Sequence, residues 1–279
     1  MVRSPAVSLR VLAMFATMAC APFALGAPVG LVTDVDGNAM QGGEPLKLLA
    51  DLPSGAEVDV AAGGRVVVFY FGDGTEWTLA GPGRYRLAAK APEAQRASPA
   101  PQRKAAPAAY RQFKLRTDRI AQGGTVMRGG EPAVLIAPVD EVVLAPDVRF
   151  AWQPTGAGAV YQFELVDDKG NRLVSSETKE NEARLPEGLK LSGGRTYYWS
   201  LRGREVNGGP AFYRATEFRV ADAATAQRVH AAAPKPGATF SERTLYVALL
   251  EDVGAKSAAR EARRALAQER AAASWAPAR

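Results

Sequence analysis

The sequence predicts a mainly β protein: two β domains in succession, with an α-helical hairpin near the C-terminus. Short apolar runs separated by glycine and aspartate fill residues 27–88, without the 3.6-residue periodicity of a helix. A second series of alternating apolar residues fills 145–221, with turn residues at the spacing typical of a β-sandwich. Residues 239–273 instead contain a capping motif and an alanine- and arginine-rich stretch, both typical of helices.

Residues 1–26 have the organisation of a secretory signal peptide, with arginines before an apolar run. Ala24 and Gly26 are small residues at the two positions that signal peptidase reads, which predicts cleavage before Ala27. We therefore expect a periplasmic or secreted protein with no membrane span after signal removal. Two alternatives remain open: lipidation of Cys20, and retention of the apolar run as a membrane anchor.

Cleavage before Ala27 leaves a mature chain without cysteine and with one histidine, His230. Without cysteine the mature chain can form no disulfide, no thiolate zinc site and no cysteine nucleophile. A histidine-dependent triad would have to use His230 itself. Neighbouring carboxylates such as Asp140 and Glu141 would point to opposite faces of a strand. The sequence therefore predicts a protein that is not an enzyme and that binds no metal or other cofactor.

The clearest element of the first β domain is a hairpin. Residues 65–71 are mostly β-branched or aromatic, residues 72–74 read Gly-Asp-Gly, and residues 75–79 form the return strand. A tight turn of this kind needs positive φ, which aspartate and glycine tolerate.

Two short motifs accompany this hairpin. Leu52 and Gly55 stand in an L-x-x-G turn, and Asp73-Gly74-Thr75 reads D-G-(S/T) at the end of an apolar strand. In this order the motifs resemble the periplasmic FecR domain, which implies a small β domain at the cell envelope. FecR relatives that regulate sigma factors carry a cytoplasmic domain before a membrane span. Here only a short stretch precedes the apolar run, so we do not expect that role from this chain acting alone.

The region between the two β domains changes composition twice. Residues 89–109 are rich in alanine, proline and charge, which predicts a flexible or extended linker. Residues 110–144 return to short apolar runs separated by glycine pairs at 123–124 and 129–130, which predicts a β-rich connecting segment. The sequence leaves open whether this segment belongs to the first or to the second domain.

The second β domain, residues 145–221, carries a recognisable aromatic pattern. Trp152 lies early in it, and Leu191, Gly194 and Tyr197 form the pattern L-x-x-G-x-x-Y. This arrangement resembles a fibronectin type III or related immunoglobulin-like domain. The resemblance implies that Tyr197 forms a corner, with its hydroxyl bonded to upstream backbone. Such sandwiches need no disulfide, which suits a mature chain without cysteine.

The C-terminal region is predicted as a second linker, residues 222–238, followed by the helical hairpin at 239–273. Thr239 and Glu242 form a capping box at the start of the first helix, and Gly254 ends it. The second helix follows in the alanine- and arginine-rich stretch.

Two sets of side chains are candidates for contact with a partner. Leu245, Leu249 and Val253 lie near one face of the first helix, and a single helical hairpin cannot bury its own apolar face. We expect this face to dock on the sandwich or to contact another envelope protein; otherwise the hairpin would stay partly frayed. Tyr70 and Trp77 form the second set, because an exposed ring there could stack on a sugar, although most of the hairpin aromatics are expected in the core.

These observations predict an exported, non-enzymatic binding or scaffolding protein of the cell envelope. An envelope protein is the expected partner. A glycan-binding module and a component of an envelope signalling pathway are the alternatives. The basic excess near the C-terminus is expected to be a solvated surface, and export argues against a nucleic acid as partner.

Overall fold

The computed structural model describes residues 27–107, 110, 134–144, 148–154, 159–204 and 211–275. The predicted signal peptide and the glycine pairs at 123–124 and 129–130 lie outside these ranges. Within them, no helix is both long enough and apolar enough to cross a membrane. The predicted fold class is confirmed, because the described chain is mainly β and ends in helices.

The first β domain contains two five-stranded sheets. Its strands are β1 (Pro28–Asp36), β2 (Ala39–Gln41), β3 (Glu44–Pro45), β4 (Asp51–Pro53), β5 (Glu57–Val60), β6 (Arg65–Tyr70), β7 (Thr75–Ala80), β8 (Gly83–Leu87), β9 (Pro92–Gln95) and β10 (Gln102–Ala105). The first sheet has the order β4-β1-β6-β7-β10, and the second sheet has the order β3-β2-β5-β8-β9. Neighbouring strands in both sheets are antiparallel.

The predicted hairpin is formed by β6 and β7, with Tyr70 opposite Thr75 at its closed end. Gly74 has a φ of +64°. The side chain of Asp73 accepts a hydrogen bond of 3.2 Å from the backbone N–H of Thr75. The turn chemistry expected from the Asp-Gly pair is therefore confirmed.

Strands β1 and β6 are buried on both faces. Val32 and Val68 pack between the two sheets. Leu31 and Phe69 point the opposite way and pack against the C-terminal helices. A strand that is buried on both faces carries apolar residues at successive positions, because neither face meets solvent. This explains the continuous apolar run along β6.

The segment expected to be the first linker contributes one strand to each sheet. β9 pairs with β8, and β10 pairs with β7. All four residues of β10 are exposed. A strand joins a sheet through its backbone, so a polar edge strand of this kind has no apolar pattern by which it could be predicted.

The second β domain is a sandwich of a three-stranded and a five-stranded sheet. Its strands are β11 (Leu135–Ala137), β12 (Glu141–Val143), β13 (Arg149–Trp152), β14 (Tyr161–Asp167), β15 (Arg172–Thr178), β16 (Glu182–Arg184), β17 (Thr196–Arg204) and β18 (Ala211–Val220). The third sheet has the order β11-β13-β16, and the fourth has the order β12-β18-β17-β14-β15. Residues 134–144 therefore belong to the sandwich, with β11 in one sheet and β12, parallel to β18, in the other.

Aromatic side chains fill the space between the two sandwich sheets. The ring of Phe150 lies 4.9 Å from that of Phe163 and 5.4 Å from that of Trp199, centroid to centroid. The hydroxyl of Tyr197 accepts a hydrogen bond of 2.8 Å from the backbone N–H of Ser192. The corner that the sequence resemblance implied is therefore present.

Three helices follow the sandwich: α1 (Ala223–Ala232), α2 (Phe240–Asp252) and α3 (Lys256–Trp275). Helix α1 occupies the segment expected to be the second linker, and Asp222 caps it by accepting a 2.7 Å hydrogen bond from the N–H of Thr225. The predicted capping box of Thr239 and Glu242 is present at the start of α2. Gly254, with a φ of +82°, lies between α2 and α3.

The apolar face of α2 around Leu245 and Leu249 docks on the first sheet, whereas one of the expectations placed it on the sandwich. Helix α2 lies against β1. Leu245 and Leu249 pack with Leu31 and Phe69. The first sheet has an apolar outer face that needs a cover, whereas the outer face of the fourth sheet is largely polar. The first half of the molecule thus has three layers: second sheet, first sheet and helices.

Candidate functional site

Of the two hairpin aromatics predicted as glycan contacts, Tyr70 lies inside the first domain and Trp77 is partly exposed. Tyr70 is 1% exposed and packs between the two sheets, and Trp77 is half-buried against the same cluster. The hydroxyl of Tyr70 and the indole N–H of Trp77 are buried without a hydrogen-bond partner in the described chain. Because β6 turns Tyr70 toward the second sheet, no sugar ring can reach its face.

The helical candidates are also interior residues. Leu245 and Leu249 are fully buried, and Val253 is partly buried at the edge of the same cluster. Leu245 and Leu249 share their cluster with Leu31 and Phe69 of the first sheet, whereas Val253 borders a cavity between α2 and the sandwich. The apolar face that the sequence offered to a partner is therefore covered by the protein itself.

A buried polar chain crosses the interface between α2 and the first sheet. The hydroxyl of Ser241 lies 2.8 Å from the hydroxyl of Thr33 and also bonds the carboxyl group of Glu76. The hydroxyl of Thr33 lies 3.2 Å from the backbone carbonyl of Val67, to which it donates. Burial between helix and sheet raises the pKa of Glu76 above its ordinary value.

Arginine side chains close the same interface at its edge. The carboxylate of Asp34 on β1 binds Arg65 at 2.7 Å and Arg270 of α3 at 2.5 Å. The guanidinium of Arg270 also lies 4.3 Å from the ring centroid of Phe240. These contacts fasten α3 to the first sheet.

The sandwich is joined to the helices at the start of α3. The carboxylate of Glu141 accepts hydrogen bonds from the backbone N–H of Ser257 at 2.6 Å and from its hydroxyl at 2.8 Å. Beside it, Lys256 and Asp140 form an ion pair of 2.9 Å. An anion at a helix N-terminus satisfies unpaired N–H groups and suits the helix dipole.

Two larger cavities lie beside the helices. The first, of about 1090 Å³, lies between Tyr110, α1 and residues 234–238, and Glu242 is the one carboxylate among its described lining residues. The second, of about 360 Å³, lies at the joint between sandwich and helices. Asp140 and Glu141 border it, and both already bind α3. Within the described ranges, no cluster of three or more His, Cys, Asp or Glu side chains could hold a metal ion.

The outer face of the fourth sheet carries the most exposed aromatic rings of the described chain. Tyr198 is 43% exposed and Tyr213 is 52% exposed. The guanidinium of Arg202 lies 5.0 Å from the ring centroid of Tyr213. Successive strand residues point to opposite faces, so both tyrosines could have been predicted from their buried neighbours Tyr197 and Phe212.

This face offers aromatic rings together with hydroxyl, amide, carboxylate and guanidinium groups, a combination that stacks on a ligand and forms hydrogen bonds with it. No protein-family model matches the chain, and no curated protein matches it.

Proposed function

We propose that the protein is an exported, non-enzymatic binding or scaffolding protein of the cell envelope, and that it binds through the outer face of its fourth sheet. The observation that carries the proposal is the pair of exposed rings, Tyr198 and Tyr213, on one sheet face. Tyrosine and arginine are enriched in binding surfaces, and here an arginine stands over one of the two rings.

The buried carboxylates support a non-enzymatic role. Asp34, Glu76 and Glu141 are the buried acids of the described chain. Asp34 binds two arginines, Glu76 bonds a serine under α2, and Glu141 caps α3. Each acid therefore has a structural task that accounts for its burial.

The sheet architecture supports the two resemblances. The packing of two sheets into a sandwich and the Tyr197 corner are features that a fibronectin-like domain shares. The Asp73-Gly74 turn suits a FecR-like first domain. We place the mature protein in the periplasm or outside the cell on the strength of its predicted signal peptide.

The charged residues of α3 support a partner other than nucleic acid. Lys256, Arg263 and Arg270 each form an ion pair with a carboxylate of this chain. Much of the basic excess near the C-terminus is therefore neutralised within the molecule, which leaves less of it for phosphate groups.

Site-specific photo-cross-linking in the living cell tests the binding role. A photoreactive phenylalanine analogue at position 213 or 198 is expected to capture an envelope molecule. The same analogue at Ile136 is the matched control, because that residue is 42% exposed but lies on β11 of the third sheet. If positions 198 and 213 capture nothing above this control, the proposal is wrong.

N-terminal sequencing tests export. The mature protein is expected to begin at Ala27. A chain that begins with a lipid-modified Cys20 would make the protein a lipoprotein, and a chain that keeps residues 1–26 would contradict signal cleavage.

A further inference from the structure

The two exposed tyrosines of the fourth sheet are held apart at a fixed spacing. Tyr198 on β17 lies opposite Glu217 on β18, and Tyr213 lies opposite Arg202, so the rings are offset by four residues along the strands. At the rise of an antiparallel strand this offset is roughly 14 Å. Ser200 pairs with the small Ala215 between them, which leaves a shallow floor between the two rings.

A small polar pit opens beside this floor. Its volume is about 100 Å³, and its lining consists of Gln162, Glu164, Arg172, Ser175, Ser200 and Arg202. The strand register brings these residues together, because Glu164 lies opposite Ser200 and Gln162 lies opposite Arg202. An ion pair between Arg172 and Glu164 fixes two of the side chains at the rim.

The chemical groups on this face indicate which class of ligand it can bind. Protein interfaces are usually built around a packed apolar centre, but the centre here is a polar pit. Nucleic acid requires an excess of positive charge, which this face lacks. Its described charged side chains are three arginines and three glutamates: Arg172, Arg202, Arg219, Glu164, Glu177 and Glu217. The near balance of charge also disfavours a strongly charged ligand of either sign.

A sugar chain has the properties that this face complements. The C–H groups on the face of a pyranose ring suit the electron-rich face of an aromatic ring. Sugar hydroxyls both donate and accept hydrogen bonds, and the pit supplies amide, hydroxyl, carboxylate and guanidinium groups for both roles.

We propose that the outer face of the fourth sheet binds a largely uncharged oligosaccharide of pyranose rings. Tyr198 and Tyr213 stack on different rings of the chain, and hydroxyl groups between them enter the pit. The ring of Tyr213 holds Arg202 in place to donate to a sugar oxygen. The spacing of the tyrosines exceeds one sugar ring, so an oligosaccharide binds more tightly than a monosaccharide. This assignment rests on the proposed binding function and specifies its ligand class.

Calorimetric titration of the mature protein tests the assignment. The probes are tetrasaccharides of β-1,4-linked glucose and of β-1,4-linked N-acetylglucosamine, the two matching monosaccharides, and solubilised envelope glycan strands. We expect saturable binding of at least one chain and weaker binding of its monosaccharide. Tyr213→Ala and Tyr198→Ala are each expected to weaken binding about tenfold. Tyr213→Phe keeps the ring and should bind within about twofold of the wild type.

Control variants separate loss of the ligand from loss of the fold. Ile136→Ala removes an exposed apolar side chain from the third sheet and should bind as the wild type does. Both tyrosine variants should remain folded, with at most a small drop in the denaturant midpoint, because the replaced rings are about half exposed.

Three results would overturn the glycan assignment: no saturable binding of any probe, equal affinity of the wild type and both tyrosine-to-alanine variants, or equal loss in Ile136→Ala. If no glycan binds but the photoreactive group at position 213 captures an envelope protein, the binding function stands and the ligand is a protein. If neither experiment gives a product, the binding function itself is refuted.

Discussion

The number of protons available to the buried hydrogen-bond chain of Glu76, Ser241 and Thr33 implies that Glu76 is protonated. Replacing Glu76 with glutamine tests this proton count. Each hydroxyl group has one proton to donate. If Thr33 donates to the carbonyl of Val67, its oxygen accepts the proton of Ser241, and the bond between Ser241 and Glu76 then needs a proton from the carboxyl group. All contacts of the chain are therefore satisfied only when Glu76 is protonated.

The sign of the pH dependence follows from the pKa of Glu76. Burial raises this pKa from 4.5, and the carboxylates of Glu242 and Asp34 act in the same direction, whereas Lys104 lowers it. Ser241 lowers the pKa only if it donates to the carboxylate, and in the arrangement above it donates to Thr33 instead. Because the pKa is raised on folding, the contribution of Glu76 to stability is complete below 4.5 and is lost as the pH rises through the pKa of the folded protein.

Glutamine donates from its amide at every pH and so keeps the chain satisfied. An unsatisfied buried polar contact costs on the order of 1–3 kcal/mol. We therefore expect Glu76→Gln to exceed the wild type in free energy of unfolding by about 1–3 kcal/mol at alkaline pH, and by less as the pH falls toward the ordinary pKa of a glutamate.

Urea unfolding at a series of pH values, from about 4 to about 9, measures this difference directly. Glu261→Gln is the matched control, because Glu261 is exposed on α3 and its removal should leave the wild-type curve unchanged. Ser241→Ala removes the centre of the chain and should destabilise the protein by about 1–3 kcal/mol. A Glu76→Gln protein that is less stable than the wild type at alkaline pH, or a difference that does not vary with pH, would refute the proton count.

Three further outcomes are expected. Leu245→Ala should lower the free energy of unfolding by about 2–5 kcal/mol, and hydrogen exchange should quicken in β1 and β6; a change confined to β14 and β17 would contradict docking on the first sheet. Tyr197→Phe should cost about 1 kcal/mol in urea unfolding, because the N–H of Ser192 loses its acceptor, and an unchanged midpoint would contradict the corner. Tyr70→Phe should leave that midpoint unchanged or raise it, because the buried hydroxyl of Tyr70 has no hydrogen-bond partner in the described chain; a clear loss of stability would mean that the hydroxyl is bonded.

The elements that could be predicted from the sequence are those determined by a few neighbouring residues. The Asp73-Gly74 turn needs only residue types that tolerate positive φ. The capping box at Thr239 needs a glutamate three residues later, and the Tyr197 corner bonds backbone five residues upstream. In each case the interaction closes within one turn of chain, so its signal is local.

The docking of the helices could not be predicted in the same way. Leu245 and Leu249 indicate an apolar helix face, but nothing near them in sequence identifies the surface that covers it. That surface contains Leu31 and Phe69, which lie in runs where inward and outward residues are both apolar. A run without polar residues has no alternation, so its second buried face has no signature.

The candidate binding face lies between these two cases. Tyr198 and Tyr213 each follow a buried residue on a strand that the sequence does predict, so their outward direction was available from alternation alone. The polar pit could not be predicted from alternation, because it depends on the register between β14 and β17, which sets Glu164 opposite Ser200. Register is fixed by contacts across strands and has no local signal.

Because α2 covers the first sheet, the apolar face of that sheet can be buried only late in the synthesis of the chain. A chain emerges from synthesis with its N-terminal part first. Leu31 and Phe69 therefore stay in contact with water until Leu245 and Leu249 have arrived from the far side of the sandwich. Until then the first domain displays an apolar sheet face, a surface that favours aggregation and binding by chaperones. The sandwich strands lie between these two sets of residues in the sequence, so all of them, with Tyr198 and Tyr213, emerge before the helices that cover the first sheet.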